Sequence, residues 1–225
     1  MQTERLPTSS LMPGIDAWRP QAYSVHRLDG RAEQQRYLAL LEQVYAPLGF
    51  LSREILPGEQ SRCFGVEYHG TIVGIFRLSE VTERSSPYFS LEPAVERPQA
   101  RLLEVNNVVI ATPMRATILL GMMLYAAARE AHALGYDYIV GMTRAQTLRF
   151  FVDFGVVPVD HAPLHLLGRP ELQDFVIYYD TGDATSIAYM HERARRWFHQ
   201  QYVMRCIQDK YLRPQRKTGL TARAA

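Results

Sequence analysis

Cysteine is nearly absent. Cys63 and Cys206 are the two in 225 residues, and they stand in no C-x-x-C or Cys/His spacing, so neither a disulfide framework nor a zinc site is indicated. A reducing, cytoplasmic setting is expected. No long hydrophobic run is present either: the most apolar stretch, 116–128, contains Thr117 and is well short of the roughly 20 residues that span a bilayer, so no membrane span is expected. The first residues lack the basic start and apolar run of a secretory signal. Charge of one sign is also scarce. With 25 Lys and Arg against 23 Asp and Glu, the net +2 is too small for bulk attraction to nucleic acid. The seven histidines show no ligand spacing, and no metal is predicted. What remains is ordinary globular chemistry, 47% hydrophobic and 21% charged, at a length suited to a single α/β domain with a sizeable core.

Residues 1–21 carry Pro7, Pro13, Gly14 and Pro20 without periodicity and read as an irregular arm. From Tyr23 to Leu28 the pattern alternates like a strand. Asp29 can then cap a helix whose apolar positions are Tyr37, Leu38, Leu41, Val44 and Leu48. Next, CFGVEY and TIVGIFRLS flank His69 and Gly70, a hairpin signal. Residues 82–100 hold Pro87, Pro93 and Pro98 and form a connection long enough to suggest a substrate lid. The strand RLLEVNNVVI follows, then a long helix ending near Leu134 and Gly135, then the strand YDYIVGM. The helix TRAQTLRFFVDF stops at Gly155, and VVPVDHAPLHLL and DFVIYYD supply two further strands. A last helix, over 183–213, presents Ile187, Met190, Ala194, Trp197, Phe198, Tyr202 and Cys206 on one side. Residues 214–225 are a tail.

Over roughly residues 22–182 this order resembles the GNAT superfamily of N-acetyltransferases, with the helix 183–213 as a C-terminal extension. The hairpin GVEYHGTIVGIFRLS is similar to the family's second and third strands. The stretch 111–141 is similar to its loop, long helix and fifth strand, and RAQTLRFFVDFGV to its following helix. The resemblance implies a mixed sheet flanked by helices and an acyl thioester as donor substrate. The family's R/Q-x-x-G-x-G/A loop presents backbone N–H groups to the coenzyme A pyrophosphate at a helix N-terminus. Here it reads RATILLG: Arg115 and Gly121 are kept, but Ile118 and Leu119 stand where glycines belong. Arg144 replaces the family's Asn, and Phe151 its acid Tyr. A degenerate cradle suits a donor without pyrophosphate, an acyl chain on the phosphopantetheine of an acyl carrier protein. The GNAT-like branches using such donors are the acyl-homoserine-lactone synthases and the N-acyl amino acid synthases. The E-x-S-R-F signature of the former is matched here only in Glu104 of Glu104-Val105-Asn106-Asn107-Val108, so the resemblance favours the latter.

The implied reaction joins an amine to a thioester carbonyl, which requires a deprotonated amine. Glu104 lies mid-strand on a face shared with Leu102, Asn106 and Val108, where a lone carboxylate is costly without a task, so it is the expected base; pairing with an arginine on a half-solvated face is the alternative. Backbone N–H groups near Asn106 to Val108 are expected to meet the oxyanion. Asn106 and Asn107 either orient the acceptor or satisfy the strand. Arg115 either binds the donor phosphate or lies on the first helical turn. Arg144 either pairs with an acceptor carboxylate or forms a surface ion pair. Phe151 packs or lines the acyl channel. Between His191 and Lys217, eight Lys and Arg stand against Glu192 and Asp209, a net +6 in a chain of net +2. That helix either docks an acidic carrier protein or carries a solvated face. The expected function is transfer of a medium or long acyl chain from a carrier-protein thioester to the amine of an amino acid. A coenzyme A-dependent N-acetyltransferase is the second reading, and a non-catalytic acyl- or carrier-binding module the third.

Overall fold

The computed structural model describes residues 23–48, 61–81, 97, 99–111, 119–159 and 173–212, with 201–212 in backbone only. The arm, the tail, nearly all of the expected lid, Arg115, Ile118 and the side chains of Tyr202 and Cys206 lie outside the described residues, as does all of VVPVDHAPLHLL beyond Val159. Among the described residues there are seven strands and four α-helices: β1 Tyr23–Arg27, α1 Arg31–Tyr45, β2 Ser61–Tyr68, β3 Thr71–Glu80, β4 Leu102–Ile110, α2 Leu119–Ala133, β5 Tyr138–Arg144, α3 Ala145–Asp153, β6 Val157–Pro158, β7 Asp174–Asp180 and α4 Ala184–Leu212. The strands form one mixed sheet in the order β1-β2-β3-β4-β5-β7-β6.

Local chemistry explains most boundaries. The hairpin between β2 and β3 turns on His69 and Gly70, with φ of 47° and 77°, the pair of left-handed conformations that a two-residue turn of primed type demands. Helix α1 begins one residue later than expected. Gly30 is its cap, its N–H bonded to the Glu33 carboxylate at 3.0 Å, while Asp29 instead pairs with Arg27 at 2.7 Å. Its buried side is Tyr37, Leu40 and Leu41; Leu38 is exposed, because the helix rolls Leu40 inward in its place.

The two faces of the sheet differ. Helices α2, α3 and α4 cover one, where a single continuous core joins Phe64, Val66, Phe76, Leu103, Ile139 and Ile177 to Met122, Met123, Phe154, Met190, Ala194 and Phe198. The first half of α4 is thus a wall of the main core. The other face carries α1 over Leu28, Ile75 and Val109 at one end and a separate apolar group, Leu102, Tyr138, Val140 and Val176, at the other.

Strands β4 and β5 run parallel and are paired from Leu102↔Tyr138 to Val105↔Gly141. Pairing stops there, although β4 continues to Ile110 and β5 to Arg144. A Cβ on Gly141 would lie 2.9 Å from the Val105 carbonyl oxygen, so only glycine permits the last paired approach. Gly141→Ala should therefore destabilise the protein by about 1–3 kcal/mol, the usual cost of overpacking, read as a lower midpoint in urea. An unchanged midpoint would mean that the two strands are already free to separate at this position.

Candidate active site

Strand β4 is irregular where its sequence changes from apolar to Asn-Asn. Its residues pair with β3 as Ile75↔Val109 and then Arg77↔Asn106, so β4 uses three steps where β3 uses two. The extra residue is a bulge, and Asn107 within it has φ of 51°. Asparagine tolerates this left-handed conformation better than any β-branched residue. The bulge switches the faces. Leu103 and Val105 pack on the main core before it, and Val108 and Ile110 after it. Val108 therefore does not share the face of Glu104 and Asn106, as strict alternation had implied. It turns its side chain into the core on the α2 side, leaving only its backbone at the strand edge.

On the α1 side the register assembles a polar band. Ser61, Ser79 and Glu104 are cross-strand partners in one row, and Cys63, Arg77 and Asn106 in the next. The Arg77 Nε donates to Asn106 Oδ1 at 2.5 Å, and Ser61 and Ser79 hydroxyls lie 3.1 Å apart. Asn107, also turned to this face, donates from Nδ2 to the Tyr37 hydroxyl of α1 at 3.2 Å. The band divides the two apolar groups of this face. Arg77 is only 8% exposed and Asn107 9%, so these are interior groups, the first held by Asn106 and the second by Tyr37.

The electrostatics follow from burial. Glu104 is pushed above the usual carboxylate range by desolvation, against the pull of Arg77 and the hydrogen bond from Asn106. Burial also raises Tyr37, Tyr45 and Cys63, opposed at Tyr37 chiefly by the Asn107 bond, at Tyr45 by the charges of Arg144 and Arg77, and at Cys63 by that of Arg77. The phenols and the thiol thus stay neutral at pH 7. Glu104 is the carboxylate of the band, and its affinity for a proton is raised.

Arg144 closes β5 and caps α3. Its Nε is 4.0 Å from the buried Asp174 carboxylate, and its charge reaches Tyr45, which places it on the same face as Arg77. The structure thus places Glu104, Asn106 and Asn107 in one band, with Arg144 on the same face farther along β5. Gly121 and Phe151 are on the other side of the sheet. A Cβ on Gly121 would meet Phe154 and Trp197 at 3.1 Å, and Leu119 is fully buried, so the described start of α2 owes these residues to helix packing. Phe151 is buried in the main core against Phe150. Arg77, Tyr37 and Tyr45 were not anticipated. The signal for Arg77 was a lone cation inside the apolar run TIVGIFRLS. Among the described residues no group of three or more His, Cys, Asp or Glu is placed to hold a metal, and no helix is long and apolar enough to cross a membrane.

The bulge is open to a direct test. Asn107→Val should be less stable than Asn107→Gly by about 1–2 kcal/mol, since both lose the Tyr37 bond but only valine must be forced into the left-handed region. Equal denaturation midpoints for the two variants would show that the backbone there relaxes freely.

No family model and no curated protein matches the sequence. Solved structures do resemble the fold. An N-acyl amino acid synthase from uncultured soil microbes, FeeM, superposes with a TM-score of 0.59 at 13% identity, covering 72% of this chain and 91% of that one. Two coenzyme A-dependent acyl-homoserine lactone synthases are similar: MesI at 0.58 and 18% identity, over 75% and 89% of the two chains, and BjaI, with MTA, at 0.57 and 12%, over 77% and 89%. Acetyltransferases are also among the matches. With the mixed sheet, its flanking helices and the parting of β4 from β5, these likenesses establish that the chain has the GNAT fold.

Proposed function

We propose that this chain is an acyltransferase that moves an acyl group from a thioester to the amine of an amino acid or a similar small acceptor. The observation that carries the reading is Glu104, a half-buried carboxylate with raised proton affinity beside the point where two parallel strands part. The facing edges of β4 beyond Val105 and of β5 beyond Gly141 are not paired to each other. Such edges can hydrogen-bond the amides of an extended phosphopantetheine arm as a strand would. The developing oxyanion would be met by backbone N–H groups near Asn106 to Val108, where the bulge reshapes the strand.

In the proposed step the acceptor nitrogen attacks the thioester carbonyl carbon and a C–N bond forms. The C–S bond breaks and the thiolate leaves with its electron pair. The proton shed by the nitrogen goes to Glu104, whose raised affinity makes it a better acceptor than an ordinary carboxylate. A thiol leaves adequately as thiolate, so the absence of a tyrosine acid at Phe151 does not obstruct the step.

Glu104→Gln removes the proton acceptor and keeps the shape. The rate should fall about 10²- to 10⁴-fold, mostly in kcat, and recover partly at high pH, where more free amine is present. Stability should move the other way. Because the folded carboxyl binds its proton more tightly than the unfolded one, stability is lost as pH rises from about 4 through the folded pKa. Glu104→Gln should therefore be at least as stable as the parent at pH 7, with the difference vanishing in acid. Near-parental turnover across pH 6 to 9 in a native-like variant would exclude Glu104 as the base.

The donor we favour is an acyl carrier protein, on the ground that bulky residues at 118 and 119 replace the loop glycines and that Gly121 is needed against Phe154 and Trp197. The coenzyme A dependence of MesI and BjaI makes acyl-coenzyme A the competing donor. The carrier would meet the outer face of α4. Arg193 is engaged there with the Asp153 carbonyl at 2.7 Å, and Arg195 and Arg196 share the Glu192 carboxylate, holding it down to about 2. The face is thus less positive than a count of its arginines implies. At matched chain length, carrier-protein thioester should give the higher kcat/KM. Replacing Arg195 and Arg196 with Glu, which spares the Arg193 contact, should weaken the carrier reaction and flatten its salt dependence. Equal or better use of coenzyme A would reject the carrier as donor, and an unaltered salt slope would reject this face as its dock.

A further inference from the structure

Arg77 is buried, and burying a guanidinium, which keeps its charge, is expensive unless something fixes it. Its place is specific. It stands directly opposite Asn106 and diagonally from Glu104, which pairs with Ser79, and all three side chains share the α1 face. The bond from Nε to Asn106 Oδ1 fixes the plane of the guanidinium, something a lysine ammonium on its flexible stem could not reproduce. Among the described residues, the neighbours it has from β2, α1 and β5 are Cys63, Tyr37 and Tyr45, each held neutral by burial, and Val140, in register with Glu104. Arg144, farther along β5, acts on Tyr45. Among the described residues, Arg77 is the one whose charge is felt at Glu104.

We propose that Arg77 is a positioning residue: locked by its bond to Asn106, its guanidinium lies on the diagonal to Glu104 and keeps that carboxylate available as a base. Burial favours the protonated, useless form of Glu104, and the fixed cation opposes it. Without the cation the base would be drawn toward permanent protonation. Asn106 takes part by aiming the cation rather than by meeting the acceptor. This role rests on the reading of Glu104 as the base, but its physical core, the coupling of Arg77 to the Glu104 proton, does not depend on turnover.

The test uses Arg77→Gln, which can keep the bond to Asn106 without the charge, and Arg77→Met, which keeps only the bulk. The Glu104 side-chain carboxyl is followed by carbon NMR across pH in the full chain without substrate, its signal assigned by its loss in Glu104→Gln. Both variants should raise the Glu104 midpoint by about one unit or more, the usual effect of losing a close opposite charge. The acid limb of kcat should move by the same amount, an approximately tenfold loss at a fixed pH on that limb. A folded variant with an unmoved midpoint would overturn the proposal. So would failure of both variants to fold, which would make Arg77 a structural cation. If the midpoint moves but no acyl transfer is found in the parent, the coupling stands and the acyltransferase reading fails.

Discussion

The departure of β4 from strict alternation at Asn106 and Asn107 is the constraint on which the rest of the architecture depends. One extra residue bends a central strand, and everything downstream changes side. Because of it two consecutive asparagines reach the α1 face, Val108 and Ile110 regain the main core, and the parallel ladder with β5 ends at Val105. A bulge in the middle of a sheet must be held from both sides, since it forfeits ladder hydrogen bonds. Arg77 holds Asn106 from β3, and Tyr37 holds Asn107 from α1. The same contacts that stabilise the irregular backbone therefore define the candidate site.

That arrangement also explains why the sheet has one continuous core and one interrupted face. Arg77, Asn107 and the half-buried Glu104 contribute little hydrophobic stabilisation and carry desolvation costs. The compensating burial is on the opposite face, where α2, α3 and the first half of α4 seal the sheet with Met122, Met123, Phe154, Met190 and Phe198. The first half of helix α4 thus contributes to the main core of a sheet whose other face is interrupted by a polar band.

The fold was legible because its signals are local. Alternation marked β1, apolar and β-rich runs marked β2 to β5 and β7, the His69-Gly70 pair marked the hairpin, and helical spacing marked α1 and α4. Single residues were less so. Asp29 and Gly30 differ by one position, and the capping bond to Glu33 decides between them; Leu38 and Leu40 differ by half a turn, and tertiary packing decides. In the site, Glu104, Asn106 and Asn107 were legible as polar residues inside an apolar strand. The bulge was not, because it is a property of pairing with β3, even though two asparagines in a strand disfavour regular β structure. Gly121 was misleading for a related reason: a glycine near a helix start serves a ligand or a close helix contact equally well, and here Phe154 and Trp197 supply the contact.

A buried arginine is the least legible feature of all, since one cation in TIVGIFRLS could as readily point to solvent from an edge strand. Its meaning comes from topology. The strand order makes β3 and β4 interior neighbours, so neither can present a face to water at its edge. Once Arg77 is confined there, the neutral state of Tyr37, Tyr45 and Cys63 follows from the same desolvation that raises Glu104. In the proposed reading the chemistry of this face falls to Glu104, placed beside the point where two parallel strands separate and a reactant's amide groups can replace the missing ladder.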